Sequence, residues 1–233
     1  MTTPDRSRLH GTFELHVFVD PLDPPTETSD RFIEVCGENS GPNHRIKSLL
    51  LNLDYEHVGF VSVMQTSRYC QGDLEDAVRE CAKDAEVLRQ AGFTVLREKV
   101  ESMVVNEGVP KSAAEARALP DTFYFEFHIL VNRRDDEELH EADFATLRAI
   151  AQDLSPKLGT PIPLSYNAFK PGQRFLNART YGLGIEESNA KVAVIEDAIN
   201  ATETLRVSKV IREFICSDDN TALDQGWLEP LPT

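Results

Sequence analysis

Two short stretches put a glutamate and a histidine two residues apart among hydrophobic neighbours. Phe13-Glu14-Leu15-His16-Val17-Phe18-Val19 is followed 112 positions later by Phe125-Glu126-Phe127-His128-Ile129-Leu130-Val131. Alternation over seven residues predicts a β-strand with one apolar and one polar face. Phe13, Leu15, Val17 and Val19 share one face; Glu14, His16 and Phe18 share the other. One histidine from each copy can supply a base and an acid near neutral pH. The same side chains have a second chemistry. Two imidazoles and a carboxylate form a ligand set for Fe(II), Mn or Zn.

Cations recur near these strands. A stretch containing Arg97, Lys99 and Glu101 alternates with Leu96, Glu98 and Val100, and Val210-Ile211-Arg212-Glu213 echoes Val95-Leu96-Arg97-Glu98 at an offset of 115. Arg179 falls at the offset-115 position of Met64. If the polar faces meet, His16 and His128 become the catalytic pair. Glu14, Arg97, Lys99, Glu101, Glu126, Arg179 and Arg212 then line a cleft as substrate-binding groups. Arginines and lysines gathered in an acidic chain fit a small carboxylate or phosphate. The first expectation is therefore an enzyme acting on a small anionic molecule, with no cofactor. The second is a metal-dependent enzyme with a divalent ion on His16 and His128 together with Glu101 or a Glu14 or Glu126 carboxylate. The third is a non-catalytic ligand-binding or assembly module. Against all three stands a plain alternative, since an uncovered antiparallel face is usually polar and decorated with cross-strand Glu–Arg pairs.

The elements that must position these residues also come twice. Strands are predicted at 12–19, 46–53, 58–66 and 93–105, with helices at 30–36 and 73–91. The 73–91 helix is the clearest. Leu74, Ala77, Val78, Cys81, Ala85 and Leu88 keep helical spacing, acids crowd its start, and Gly92 follows it. The second half repeats the order, with strands at 122–131, 163–169, 175–181 and 207–216. Its helices are predicted at 142–153, stopped by Ser155-Pro156, and at 187–204. The reading is an α+β chain of two tandem ferredoxin-like (βαββαβ) repeats in one pseudo-two-fold unit. The halves span 10–105 and 121–216. A linker, 106–120, joins them with a short helix near 112–118. A tail, 217–233, carries the only tryptophan, Trp227, expected to pack on the body with Leu223.

Composition bounds the partners. The formal net charge is −15, which argues against nucleic acid and anionic membrane, since both call for a basic surface. No apolar run approaches a membrane span, and Met1 to Arg8 is polar, which points to a cytoplasmic protein. The four cysteines form no C-x-x-C pair and read as reduced, structural thiols. His10, His44, His57 and His140 read as solvent-exposed. Ser67-Arg68 and Ser165-Tyr166-Asn167 fall at strand ends within reach of a ligand. Asp218, Asp219, Asn220 and Asp224 have the composition of a cation loop without the spacing of an EF-hand.

Arg212-Glu213-Phe214, followed by Asp218-x-Asn220-x-x-Leu223-Asp224-x-Gly226-Trp227, together with the Phe-Glu-Phe-His strand, resembles a family of uncharacterised bacterial proteins. The resemblance spans most of the chain and implies no activity. The bilobal plan is also similar to that of the two-histidine phosphoesterases. Their His-x-Thr/Ser motif is missing here, because His16 precedes Val17-Phe18 and His128 precedes Ile129-Leu130. The glyoxalase and extradiol dioxygenase superfamily is similar in setting His and Glu ligands on paired modules. Its β-α-β-β-β modules lack a counterpart for the second long helix of each half.

Overall fold

Alternating strands dictate an architecture with two unlike faces. A computed structural model describes residues 9–42, 44–55, 58–170 and 172–229; expectations for Met1 to Arg8, His57 and Pro171 lie outside them. The first half runs β1 (His10–Val19), α1 (Thr26–Glu38), β2 (Lys47–Tyr55), β3 (Gly59–Asp73), α2 (Leu74–Gln90) and β4 (Val95–Met103). A short α3 (Ala113–Ala116) lies in the connection. The second half runs β5 (Tyr124–Arg133), α4 (Glu141–Leu158), β6 (Leu164–Asn167), β7 (Arg174–Tyr181), α5 (Ile185–Asn200) and β8 (Leu205–Asp218). Each half is a βαββαβ unit, and the duplicated ferredoxin-like plan is the observed fold.

Within each half the first strand is central, giving the orders β4-β1-β3-β2 and β8-β5-β7-β6. The halves do not face each other across an open cleft. Pairing of β4 with β8 and of β2 with β6 joins the two sheets into one closed antiparallel barrel. Closure removes the free edges that a four-stranded sheet would expose.

The apolar face of each strand points outward, under the helices. Phe13, Leu15 and Val17 of β1 and Phe125, Phe127 and Ile129 of β5 are fully buried there. Such burial contributes about 1.5–3 kcal/mol for a Leu- or Phe-sized side chain. Helix α2 covers β1, β3 and β4 with Leu74, Ala77, Cys81, Ala85 and Leu88. Its start is fixed by Asp73, whose side chain accepts from the Asp76 amide at 2.8 Å. The polar faces point into the barrel lumen.

Several boundaries differ from the sequence reading. Helix α1 starts at Thr26 rather than Asp30, and Ser29 lies inside it, its hydroxyl turned back to the carbonyls of Pro25 and Thr26. Helix α4 runs through Pro156 to Leu158, because a proline in the last turn forfeits one hydrogen bond before Gly159 ends the helix in the left-handed region. Strand β3 continues through the polar run Gln65 to Asp73, since both of its faces find polar partners. Helix α5 ends at Asn200, four residues short of Thr204. Among the described residues no helix is long and apolar enough to cross a membrane.

Candidate metal centre in the barrel lumen

Strand register decides which polar residues meet. Glu14 of β1 sits directly opposite Glu101 of β4, and Glu126 of β5 directly opposite Glu213 of β8. Each pair has its histidine two residues on, which builds two equivalent triads: Glu14–His16–Glu101 and Glu126–His128–Glu213. In each, one ligand atom per residue lies within 4.8 Å of the others. His16 Nε2 is 3.2 Å from Glu101 Oε2 and 3.8 Å from Glu14 Oε1. His128 Nε2 is 3.0 Å from Glu213 Oε2 and 3.5 Å from Glu126 Oε1.

Both imidazoles are oriented from behind. His16 Nδ1 donates to the Thr66 carbonyl at 2.7 Å. His128 Nδ1 donates to Asn177 Oδ1 at 2.7 Å, and Asn177 is held by its own Nδ2 bonds to Pro163 O and Ser165 Oγ, both 3.0 Å. Fixing Nδ1–H on an oxygen turns Nε2 toward the carboxylates, the arrangement that metal-ligating histidines use. Glu14 is steadied by the Ser67 hydroxyl at 2.5 Å. Glu101 gives Oε1 to Lys99 at 2.9 Å, while its buried Oε2 faces the His16 imidazole.

The electrostatics follow from burial and crowding. Burial alone would pull the His16 imidazolium down, but Glu101 and Glu14 outweigh it and lift its pKa to about 9. Burial likewise opposes the His128 imidazolium, and Glu213 and Glu126 raise it to about 10. Glu213 is pushed up to about 7 by burial and by the Glu101 charge. Burial also disfavours the Glu101 carboxylate, yet Lys99 and His16 hold it well below the usual range. Glu126 is held low in the same way, against burial, by Lys99 and Arg179.

Of the residues singled out from the sequence, His16, Glu101, Lys99, Arg97, Glu126 and Arg179 are buried in this lumen, with Glu14 and His128 at its rim. The cations are all engaged. Lys99 joins Glu101 to Glu126, the latter at 3.2 Å. Arg97 pairs with Asp218 and holds Asp224 through two bonds of 2.9 Å. Arg179 reaches Glu126 at 2.8 Å, Asp224 at 2.6 Å and Glu229 at 2.7 Å.

Two placements need correction. Arg212 is not in the lumen. It pairs with outward-facing Phe127, and its side chain lies on α5 against Asn189 and Glu196. The offset of 115 does not hold for β8, which follows β4 at 112, so the position equivalent to Arg97, opposite Phe18, is Lys209, opposite Leu130. Arg179 faces Glu126 as Tyr69 faces Glu14, so its counterpart is Tyr69, not Met64.

Glu213, Tyr124, Asn177 and the tail carboxylates complete the site without having been singled out for it. Glu213 carried a signal, because it follows Glu101 by the same 112 positions that separate the two Glu-x-His strands. Asp218 and Asp224, which have the composition but not the spacing of a cation loop, are partners of arginines. The tail closes one barrel mouth: Trp227 and Leu228 pack on inward-facing Leu53 and Val63, and Tyr55 donates to the Leu223 carbonyl at 2.7 Å.

No protein-family model and no curated protein matches the chain. Among solved structures, a candidate monooxygenase from Fusobacterium nucleatum shares 12% identity at a TM-score of 0.34, over 96% of this chain and 99% of that one. A second candidate monooxygenase, from Lactobacillus acidophilus, shares 11% at 0.29, over 88% and 93%. A dye-decolorizing protein from V. cholerae shares 10% at 0.26, over 93% and 97%. Likenesses of this size carry no argument about chemistry.

Proposed function

We propose that the protein is a metal-dependent enzyme holding a first-row divalent ion in the barrel lumen on histidine and glutamate ligands. The observation that carries this reading is the pair of Glu–His–Glu triads, each with Nδ1 anchored on an oxygen and Nε2 aimed at carboxylates. Eight-stranded barrels of this size normally fill their interior with side chains at no electrostatic cost. Here charged groups fill it, and their desolvation is expensive, so a buried ion network is weak evidence for stability. Strongly shifted titrating groups gathered in one place are a mark of functional sites. Mixed imidazole and carboxylate donors suit Mn, Fe or Zn, and a bound ion of this kind supplies Lewis acidity and an acidified water.

The acid–base alternative on a small anion has less support. The carboxylates around His16 and His128 raise both imidazoles well above their ordinary value, which disfavours either as a base near neutral pH. Lys99, Arg97 and Arg179 are already paired with carboxylates, which leaves no buried cation for an incoming anion.

Metal analysis tests the proposal. The full chain, stripped of metal and reloaded in turn with Mn²⁺, Fe²⁺ and Zn²⁺ under exclusion of air, should retain at least one of them through desalting. His128→Ala should retain less while keeping its fold. A protein that stays metal-free after all three reloadings would refute the reading.

A further inference from the structure

We propose that the two triads form one dinuclear centre, with Glu101 and Glu213 lying between two divalent ions. This rests on the metal reading above and adds the number of ions and their adjacency.

Register carries the inference. Glu14 on β1, Glu101 on β4, Glu213 on β8 and Glu126 on β5 sit on four consecutive, hydrogen-bonded strands. Glu101 pairs with Ile215 and Glu213 with Met103, so the two glutamates are diagonal neighbours across β4 and β8. Diagonal neighbours on one face are about 7–8 Å apart at the backbone, which long side chains span. One ammonium, that of Lys99, already reaches a carboxylate of each triad. Two triads this close cannot act as isolated sites.

Like charges directly opposite on paired strands are destabilising. Here the lumen sets two such pairs side by side, Glu14 with Glu101 and Glu213 with Glu126, each within reach of one imidazole and of Lys99. Counting the tail residues Asp218, Asp224 and Glu229, the lumen holds seven carboxylates against Lys99, Arg97 and Arg179. That leaves an excess of four carboxylates over buried cations, to which ions on both triads would be attracted. The buried Oε2 of Glu101 faces His16 Nε2 at 3.2 Å, so the two donor atoms of the first triad already lie side by side. Two histidines and four glutamates are also the donor set by which helical bundles hold paired iron or manganese, assembled here on strands instead.

The test is a titration of the metal-free full chain with Mn²⁺, followed by electron paramagnetic resonance. Free Mn²⁺ gives a six-line signal, so its delayed appearance counts bound ions. The expectation is two ions per chain, with a bound spectrum broadened by coupling between them. His16→Ala and His128→Ala should each lower the count by at least one, and Glu101→Gln should weaken the binding of both ions. One ion per chain overturns the pair and leaves the single-ion reading standing. Two ions with uncoupled spectra overturn the adjacency. No bound ion overturns this inference and the metal reading together.

Discussion

The tail lock gives a prediction whose size follows from the contacts. Asp224 is buried between two arginines, held by Arg97 at 2.9 Å twice and by Arg179 at 2.6 Å. Asp224→Ala removes the carboxylate that both share. Deleting one partner of a buried ion pair costs about 3–5 kcal/mol, because the other charge stays behind. Arg97 keeps Asp218, and Arg179 keeps Glu126 and Glu229, so the lower end applies. About 3 kcal/mol in a chain of this length lowers Tm by about 6–12 °C. Two probes should separate in the variant. Trp227 is the only tryptophan and lies three residues beyond Asp224, so its fluorescence reports the tail, while circular dichroism reports the barrel. In the wild type, Trp227 is 7% exposed and should emit as a shielded indole. The variant should shift to water-exposed emission at or below its circular dichroism midpoint. A Tm within about 1 °C of wild type, with unshifted emission, would mean that the pairing contributes nothing to stability.

Other outcomes follow from the same contacts. In the metal-free protein both histidines have pKa values raised from 6.5, to about 9 and about 10, so their contribution to stability is full below about 6.5 and is lost as pH rises through 9 and 10. Melting of the chelator-treated protein should therefore fall steadily from neutral to alkaline pH, and a flat profile would contradict the pairing. Glu126 shifts the opposite way, so its contribution is present above the usual carboxylate range and is lost only in strong acid. Metal loading near neutral pH must displace the histidine protons, and calorimetry in buffers of different ionisation enthalpy should show proton release; buffer-independent heats would count against histidine ligation. Arg212→Ala should change stability by no more than about 0.5 kcal/mol and leave metal content intact, since its partners are on α5 at the surface. Loss of metal in that variant would place its side chain in the lumen after all.

Much of the fold was legible because period-two alternation is a local signal. Phe13, Leu15, Val17 and Val19 announce a covered face whatever lies elsewhere, and their repetition in β5 announces the duplication. Closure into a barrel was not legible, because it depends on β2 meeting β6 and β4 meeting β8 across the chain, and no residue pattern records that choice. The site was readable to the extent that the polar face was. Glu14, His16, Glu126 and His128 lie on strands whose phase is certain, so their convergence could be anticipated. Arg212 failed because the offset of 115 does not hold for β8: Glu101 and Glu213, like Arg97 and Lys209, are equivalent at 112, so the alignment was out by an odd number of residues. A shift of one residue exchanges the two faces of a strand. The tail acids failed for another reason. Asp218 and Asp224 have a role only beside Arg97 and Arg179, which are distant in sequence and adjacent only in the barrel.

Duplication alone would make a barrel with two equivalent mouths, and the tail breaks that equivalence. At its end, Arg97 and Arg179 are neutralised by Asp218, Asp224 and Glu229, Tyr124 donates to Asp218, and Trp227 seals the apolar wall of β2 and β3. At the other end the positions equivalent to Arg97 and Arg179 are Lys209 and Tyr69, both exposed, with no chain across them among the described residues. The exposure gradient agrees. His128, Glu14 and Glu213 side chains retain 22%, 13% and 11% of their surface, against 4% for Glu101 and 2% for Glu126. The triads therefore communicate with solvent through one mouth, past Tyr69 and Lys209. The two triads thus differ in depth residue by residue: Glu101 and Glu126 lie deep, while His128, Glu14 and Glu213 stand nearer the open mouth.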